Sequence, residues 1–394
     1  MPLETRIADC DRTTGSPCPS KQIMIVAGEQ SGDLHGSNLV KAMHDIDPAL
    51  RFYGIGGRRM RDAGVELMAD AADMAVVGLT EVAGKLGMIL GVLRRMKQAL
   101  KERKPALLIL IDYPDFNLLL GKAAKKSGVR IFYYISPQIW AWRKGRIEKI
   151  RRIVDKMAVI LPFEEPFYRQ AGMDVAFVGH PLLDVVQRKY ARPEALRRFD
   201  LREGITTVGL LPGSRKGEAA RLLPVMLKAA AILMRRRPPV QFVLPLADAL
   251  DRDFVETMIR QESVPVRVVP NDIYDVIGVS DIAVVASGTA TLETALLGTA
   301  MVIVYKVSPL SYRIGARIIR VTHIGLANLI AGKTIVPELI QHDASPERIA
   351  EEVADILGNE TRMHWIKEEL NRIRERLGSA GASERAARLA CDLL

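Results

Sequence analysis

The chain has 394 residues, of which 48% are hydrophobic and 26% charged. That composition excludes a disordered or fibrous protein, and the length suits two or three domains at roughly 150 residues each. The net charge is +10, and no charge-free apolar run reaches the roughly 18 residues of a transmembrane helix, so an integral membrane protein is not expected.

Residues 1–21 mix acids, bases and prolines without the apolar core of a secretory signal. They are expected to form a disordered tail without chemistry. Cys10, Cys18 and Cys391 have neither disulfide nor metal-ligand spacing and suit a reducing compartment.

From residue 22 onward, strand-like apolar runs alternate with helix-period segments. Ile23 to Ala27 reads as a strand, followed by a small-residue turn at 28–33 and a helix through Met43. A short strand follows near 51–54. Residues 74–93 are apolar, with Val76, Leu79, Leu86, Ile89 and Leu90, and run into the basic stretch 94–104. An amphipathic segment with basic flanks can lie in a membrane interface; packing into a core is the alternative. Residues 107–111 are continuously apolar, typical of a parallel strand covered on both faces. Further strands are expected at 129–134, 156–161 and 175–178, with helices at 116–126, 143–153 and 164–171.

The pattern turns polar over 184–204 and then resumes. Strands are expected at 206–211, 240–244, 266–269, 281–285 and 301–304, and helices at 218–236, 251–261, 289–297 and 345–357. Residues 360–394 read as charged helices packing back on the first domain. This β-α-β alternation indicates an α/β protein with two Rossmann-like, doubly wound parallel-sheet domains, 22–190 and 200–359. The stretches 94–104 and 143–152 each hold six basic residues and one acid. Such clusters favour anionic lipid, nucleic acid or phosphorylated substrates, and equally suit a solvated helix face.

Ligands of open α/β sheets bind beyond the carboxyl ends of the strands, and the informative residues follow strands. In Gly28-Glu29-Gln30-Ser31-Gly32-Asp33 the backbone is open to a ligand, and Glu29 and Asp33 suit sugar hydroxyls better than phosphate. Ser31 or Asp33 as a helix cap is the plainer reading. Asp112 ends an apolar strand, where a catalytic carboxylate is held rigidly, while Asp115 suits a cap. Gly213, Ser214 and Arg215 form a plausible diphosphate cradle. Ser287, Gly288 and Thr289 open a helix whose positive end suits phosphate oxygens, with Glu293 one turn on for ribose hydroxyls. His180 lies near the joint, where a structural role is as common as a catalytic one. Trp140 and Trp142 flank the second basic stretch and suit either a lipid interface or a core.

Several of these segments together resemble lipid-A-disaccharide synthases. They are Ala27 to Asp33, Ile111 to Asn117, Ser136 to Arg143, Leu161 to Glu164, Phe177 to Pro181, Leu210 to Arg215 and Ala286 to Ala290. The segment Asn328-Leu329-Ile330-Ala331-Gly332 is similar to another family segment, with Ala327 where the family has proline. The resemblance covers about residues 22–394 in family order. It implies a GT-B fold and an inverting transfer that joins UDP-2,3-diacylglucosamine to 2,3-diacylglucosamine 1-phosphate (lipid X), giving a β-1,6-linked disaccharide 1-phosphate and UDP. It implies no metal and no cofactor, peripheral attachment to the cytoplasmic face of the inner membrane, and a homodimer with exchanged C-terminal segments.

On this reading Asp112 is the expected base, with Glu29 and His180 in reserve, and Asn328 joins the donor-binding residues. Another GT-B UDP-sugar enzyme, a 2-epimerase or a different transferase, would share the donor cradle. A non-enzymatic nucleic-acid or lipid binder would explain the charge alone. No recognition helix or base-stacking platform is evident, so no nucleic-acid partner is expected.

Overall fold

The computed structural model describes residues 21–74, 79–142, 144–236, 239–308, 312 and 322–394. The expected tail therefore lies outside the described residues except for Lys21. Seven strands form one parallel sheet: Gln22–Ala27 (β1), Arg51–Gly56 (β2), Val65–Asp70 (β3), Leu107–Ile111 (β4), Arg130–Tyr134 (β5), Lys156–Val159 (β6) and Val175–Phe177 (β7). Their order is β3-β2-β1-β4-β5-β6-β7. The chain winds outward from β1 in one direction and from β4 in the other, so the switch point lies between β1 and β4. All five residues of β4 are fully buried, as its unbroken Leu-Leu-Ile-Leu-Ile run requires.

Six further strands form the second parallel sheet: Thr206–Leu211 (β8), Val240–Leu246 (β9), Val266–Pro270 (β10), Ile282–Ala286 (β11), Ala300–Tyr305 (β12) and Glu338–Ile340 (β13). The order β10-β9-β8-β11-β12-β13 places this switch point between β8 and β11. The helix Lys216–Arg236 covers the sheet with a stripe of Leu222, Leu223, Met226, Leu227, Ala230 and Leu233, all buried. The helix Pro346–Gly358 starts sharply, because Pro346 occupies its first turn and Ser345 accepts the Arg348 N–H at 3.2 Å.

Packing divides the chain into two compact units. One holds the described residues up to Tyr134, with Arg152–Lys156 and Ala386–Leu394; the other holds Ile135–Arg151 and Met157–Arg385. Within the first, Lys21 Nζ donates to the Leu394 carbonyl at 3.2 Å and Arg130 Nη1 to the Leu393 carbonyl at 2.9 Å.

Four local features differ from the sequence expectation. Strands β3 and β13 are extra, the first only partly buried and the second three residues long, so neither carries a strong apolar pattern. The helix expected at 143–153 is broken into Ile139–Trp142, a 3₁₀ turn at Lys144–Arg146 and Ile147–Arg151. The polar joint contains helices Leu182–Val185 and Arg192–Arg198. Ala195, Leu196, Phe199 and Leu201 there form a core with Val243, Val269, Val276 and Val279. The apolar and basic stretches of 79–103 are one helix, Leu79–Arg103. Among the described residues no helix is long and apolar enough to cross a membrane.

Candidate active site

The first switch point gathers two carboxylates. In the β1–β4 register Ala27 lies opposite Ile111, so Gly28-Glu29 and Asp112-Tyr113 leave neighbouring strands side by side. Glu29 occupies the N-cap position of the helix Gln30–Ile46 without capping it through its side chain. Asp112 and Tyr113 are both left-handed, with φ of 42° and 46°. Such a conformation costs about 1–3 kcal/mol per non-glycine residue and persists only where the surroundings over-determine it.

The surroundings do so here. Asn117 Nδ2 donates to the carbonyls of Asp112 at 2.7 Å and Ile111 at 3.2 Å, and the Tyr133 hydroxyl donates to the Asp112 carbonyl at 2.5 Å. The Tyr113 ring fills the space above Gly28, where a methyl group would stand 2.3 Å from Tyr113 Cγ. Its hydroxyl donates to the Met74 carbonyl at 3.3 Å. Burial raises the Asp112 carboxyl to about 7, and the Glu29 charge pushes the same way against the Tyr113 backbone N–H. A carboxyl poised near neutrality is suited to exchange a proton during turnover.

Asp33 is used differently from the sugar contact considered above. Its Oδ1 accepts the N–H groups of Gly57 at 2.7 Å and Met60 at 3.0 Å, and its Oδ2 accepts that of Arg59 at 3.1 Å. It caps the helix Arg58–Asp62, a different helix from its own. Asp115 lies exposed in the first turn of the helix Pro114–Lys126, whose N-cap position belongs to Tyr113.

Sequence reasoning passed over Glu164 as a site residue. Its buried carboxylate accepts Ser136 Oγ–H at 2.6 Å and Trp140 Nε1–H at 3.0 Å on one oxygen, and the Leu161 N–H at 3.1 Å on the other. Burial raises it to about 7, against the pull of those hydrogen bonds. Two motifs whose contacting residues lie 24 and 28 positions apart are thus tied into one knot. The signal was an acid inside a family-like segment, with nothing in the spacing to show its partners. His180 is also buried: its Nδ1 accepts the Leu182 N–H at 3.1 Å, and its backbone N–H donates to the Leu377 carbonyl at 3.1 Å. The Leu182 N–H takes the Nδ1 lone pair and ties the ring to the turn after β7.

The second switch point brings the expected donor turns together, since Val285 of β11 pairs with Leu211 of β8. Gly213 has φ 98°, and Ser214 and Arg215 are exposed at the start of the helix Lys216–Arg236. Gly288 is the exposed N-cap residue of the helix Thr289–Leu296, with open space where a side chain would begin. Thr289 is exposed beside it. Ser287 Oγ donates to the Ile324 carbonyl at 3.1 Å. Glu293 accepts the Tyr274 hydroxyl at 3.2 Å, and burial raises its carboxyl above the usual range.

The Asn328 side chain is engaged within its own loop. Its Nδ2 donates to the Val336 carbonyl and to Glu338 Oε1, each at 2.8 Å, and its Oδ1 accepts the N–H groups of Ile335 at 2.8 Å and Val336 at 3.1 Å. Both hydrogens and both lone pairs are taken. Its amide ties the 325–338 loop together.

On the helix Leu79–Arg103, Leu86, Met88 and Leu90 are exposed at 50%, 40% and 42%, and Ile89 is half-buried. Farther along, Val92, Leu93, Met96, Ala99 and Leu100 are buried, while Arg94, Arg95, Lys101 and Arg103 are exposed. Val76 and the Leu79 side chain lie outside the described residues.

The fold is shared with solved structures of low sequence identity. UDP-GlcNAc 2-epimerase from Neisseria meningitidis, bound to UDP-GlcNAc, superposes with a TM-score of 0.65 at 12% identity, covering 94% of this chain and 100% of that one. The glycotransferase of kitacinnamycin gives 0.62 at 15% identity, over 96% and 100%. Two parallel-sheet domains with polar turns at both switch points define the GT-B class.

The family follows from closer similarity. Residues 23–391 match the family model for lipid-A-disaccharide synthetase. The chain is 61% identical over 376 residues to the lipid-A-disaccharide synthase of Syntrophus aciditrophicus (strain SB), covering 95% of this chain and 98% of the relative. It is 52% identical to that of Geobacter metallireducens (strain ATCC 53774 / DSM 7210 / GS-15), with the same coverage. The chain belongs to the lipid-A-disaccharide synthase family and is a glycosyltransferase.

Proposed function

We propose that the enzyme condenses UDP-2,3-diacylglucosamine with 2,3-diacylglucosamine 1-phosphate in a single inverting displacement. The acceptor 6-hydroxyl gives its proton to Asp112 as its oxygen bonds to the anomeric carbon. The bond from that carbon to the diphosphate breaks, and UDP departs with the electron pair. The observation that carries this reading is the Asp112–Glu29 pair: burial and a second negative charge keep a rigidly held carboxyl titrating near neutrality. Glu29 is the reserve base. His180, with Nδ1 engaged, is a positioning residue.

Arg215 and the N–H groups around Gly213 and Ser214 balance the diphosphate charge that develops on the leaving group. The helix start at Ser287–Thr289 adds the positive end of its peptide dipoles, and Glu293 holds ribose hydroxyls. The residues of 22–190 serve the acceptor and those of 200–359 the donor. The Neisseria epimerase, which shares this fold, was solved bound to UDP-GlcNAc, and that supports a UDP-sugar donor here.

The exposed Leu86, Met88 and Leu90 beside Arg94 and Arg95 suit an anionic lipid surface. We assign the enzyme to the cytoplasmic face of the inner membrane, where both acylated substrates partition. A homodimer exchanging residues 360–394 would reproduce between two chains the contacts that Ala386–Leu394 makes within one.

The test is direct incubation with the two acylated sugars, with products read by mass spectrometry and by anomeric coupling in the NMR spectrum. A β-linked disaccharide 1-phosphate and one UDP per turnover are expected. An α-linked product, or UDP-sugar converted without the acceptor, would overturn the reading.

A further inference from the structure

The proposed diphosphate turn contains a negative charge that anion binding alone does not call for. Glu218 stands in the first turn of the helix Lys216–Arg236 and folds back onto Gly213. A methyl group at Gly213 would stand 2.1 Å from Glu218 Oε2 and 2.5 Å from Cδ. Glycine at 213 therefore serves two needs, the left-handed φ of 98° and room for this carboxylate. Burial raises the Glu218 carboxyl above its usual value, against the nearby charges of Arg215 and Arg221, which favour the ionised form. From β12, Tyr305 feels the charge of Glu218 on its phenol. Lys216, the other cation of the turn, lies over the Phe254 ring, 5.3 Å from its centroid.

We infer that Glu218 is a specificity-determining residue that weakens binding of the product UDP relative to the UDP-sugar donor. The inference rests on the reading of Gly213, Ser214 and Arg215 as the diphosphate site. The donor's diphosphate is a diester, with one charge on each phosphate. Once the sugar bond breaks, the terminal phosphate becomes a monoester whose further ionisation lies near pH 6. UDP therefore carries almost one more negative charge than the donor at neutral pH, on the phosphate that has just lost the sugar. A carboxylate held in the turn repels that extra charge and leaves the diester less affected. Arg215 and the backbone N–H groups attract both forms. The difference between them supplies discrimination, since specificity is a difference of affinities and uses repulsive elements.

The probes are UDP and its terminal-phosphate methyl ester, which differ by this single ionisation. Affinities of both for the full-length protein are measured by calorimetry at pH 8 and pH 5.5. At pH 8, Glu218→Gln is expected to tighten UDP about fivefold more than the methyl ester, the size of one added charge repulsion in a half-solvated site. At pH 5.5, where the extra charge on UDP is largely neutralised and the burial-raised Glu218 is itself nearer its neutral form, the difference should shrink toward none. Glu218→Ala should move the ratio in the same direction, which separates charge from side-chain shape. Equal changes for both ligands at pH 8, or weaker UDP binding in both variants, would overturn the inference. Arg215→Gln is the control for the underlying reading. If neither probe binds, or if Arg215→Gln alters neither affinity, the diphosphate site is misplaced. If Arg215→Gln weakens both while Glu218→Gln leaves their ratio unchanged, only the role of Glu218 fails.

Discussion

The Tyr113 ring lies directly on the α-carbon of Gly28, in the space where any other residue would begin its side chain. Gly28 precedes Glu29 and Tyr113 follows Asp112, so this contact sets how closely the two segments that carry these carboxylates approach. Gly28→Ala should push the ring away, disturb the left-handed pair at 112–113 and lower turnover at least tenfold. Overpacking of this kind costs about 1–3 kcal/mol. Steady-state kinetics beside a urea unfolding curve checks both effects. Normal turnover in a destabilised variant would show that the carboxylate pair tolerates the shift.

The Glu164 knot predicts a pH-dependent stability. Glu164 and Asp112 are both raised to about 7 by burial, so the folded chain retains protons that the unfolded chain has released. Stability contributed by these neutral acids is present at low pH and is lost as pH rises from about 4 to about 7. Glu164→Gln should flatten that decline by about one proton. It should also lower stability by about 1–3 kcal/mol, because one end of the amide must face an N–H or O–H donor. Urea titrations across this range give the slope; an unchanged slope in the variant would mean that Glu164 is ionised throughout.

Much of the fold was legible because parallel strands covered on both faces read as unbroken apolar runs, as Leu107–Ile111 does. The small-residue turns after β1, β8 and β11 were legible for the same reason, being sharp breaks in such runs. Contacts between distant segments were not. Asp33 looks like a local cap or a sugar ligand, yet it caps a helix that starts 25 residues later. Asn328 carries a family-like signature, and only the loop's return at 335–338 reveals that its amide is saturated. Glu164 meets Ser136 and Trp140 through tertiary packing, which leaves no periodicity to read. The helix Arg192–Arg198 was obscured by its charge, its apolar side being reduced to Ala195, Leu196 and the following Phe199.

The exposed apolar residues near the start of the helix Leu79–Arg103 predict a separable membrane function. Replacing Leu86, Met88 and Leu90 together with serine removes exposed surface and leaves the buried Val92, Leu93 and Met96 in place. The variant should keep its unfolding midpoint and lose sedimentation with vesicles containing anionic lipid, along with activity on vesicle-borne substrates. Retained vesicle binding at unchanged stability would assign this surface to something other than lipid.

Catalysis on this reading turns on Asp112 as the group that receives the acceptor's proton. Its most direct measurement is the pH dependence of turnover for the wild type, Asp112→Asn and Glu29→Gln, with UDP affinity as the control for an intact donor side. Wild-type turnover should rise with pH to a plateau, with a midpoint near the raised value of about 7. Glu29→Gln should shift that midpoint to lower pH, because the neighbouring negative charge is gone. Asp112→Asn should lose about 10²–10⁴ in rate and the rising limb with it, while UDP affinity stays unchanged. Near-normal turnover and an intact limb in Asp112→Asn, with both lost in Glu29→Gln, would contradict this assignment and make Glu29 the base.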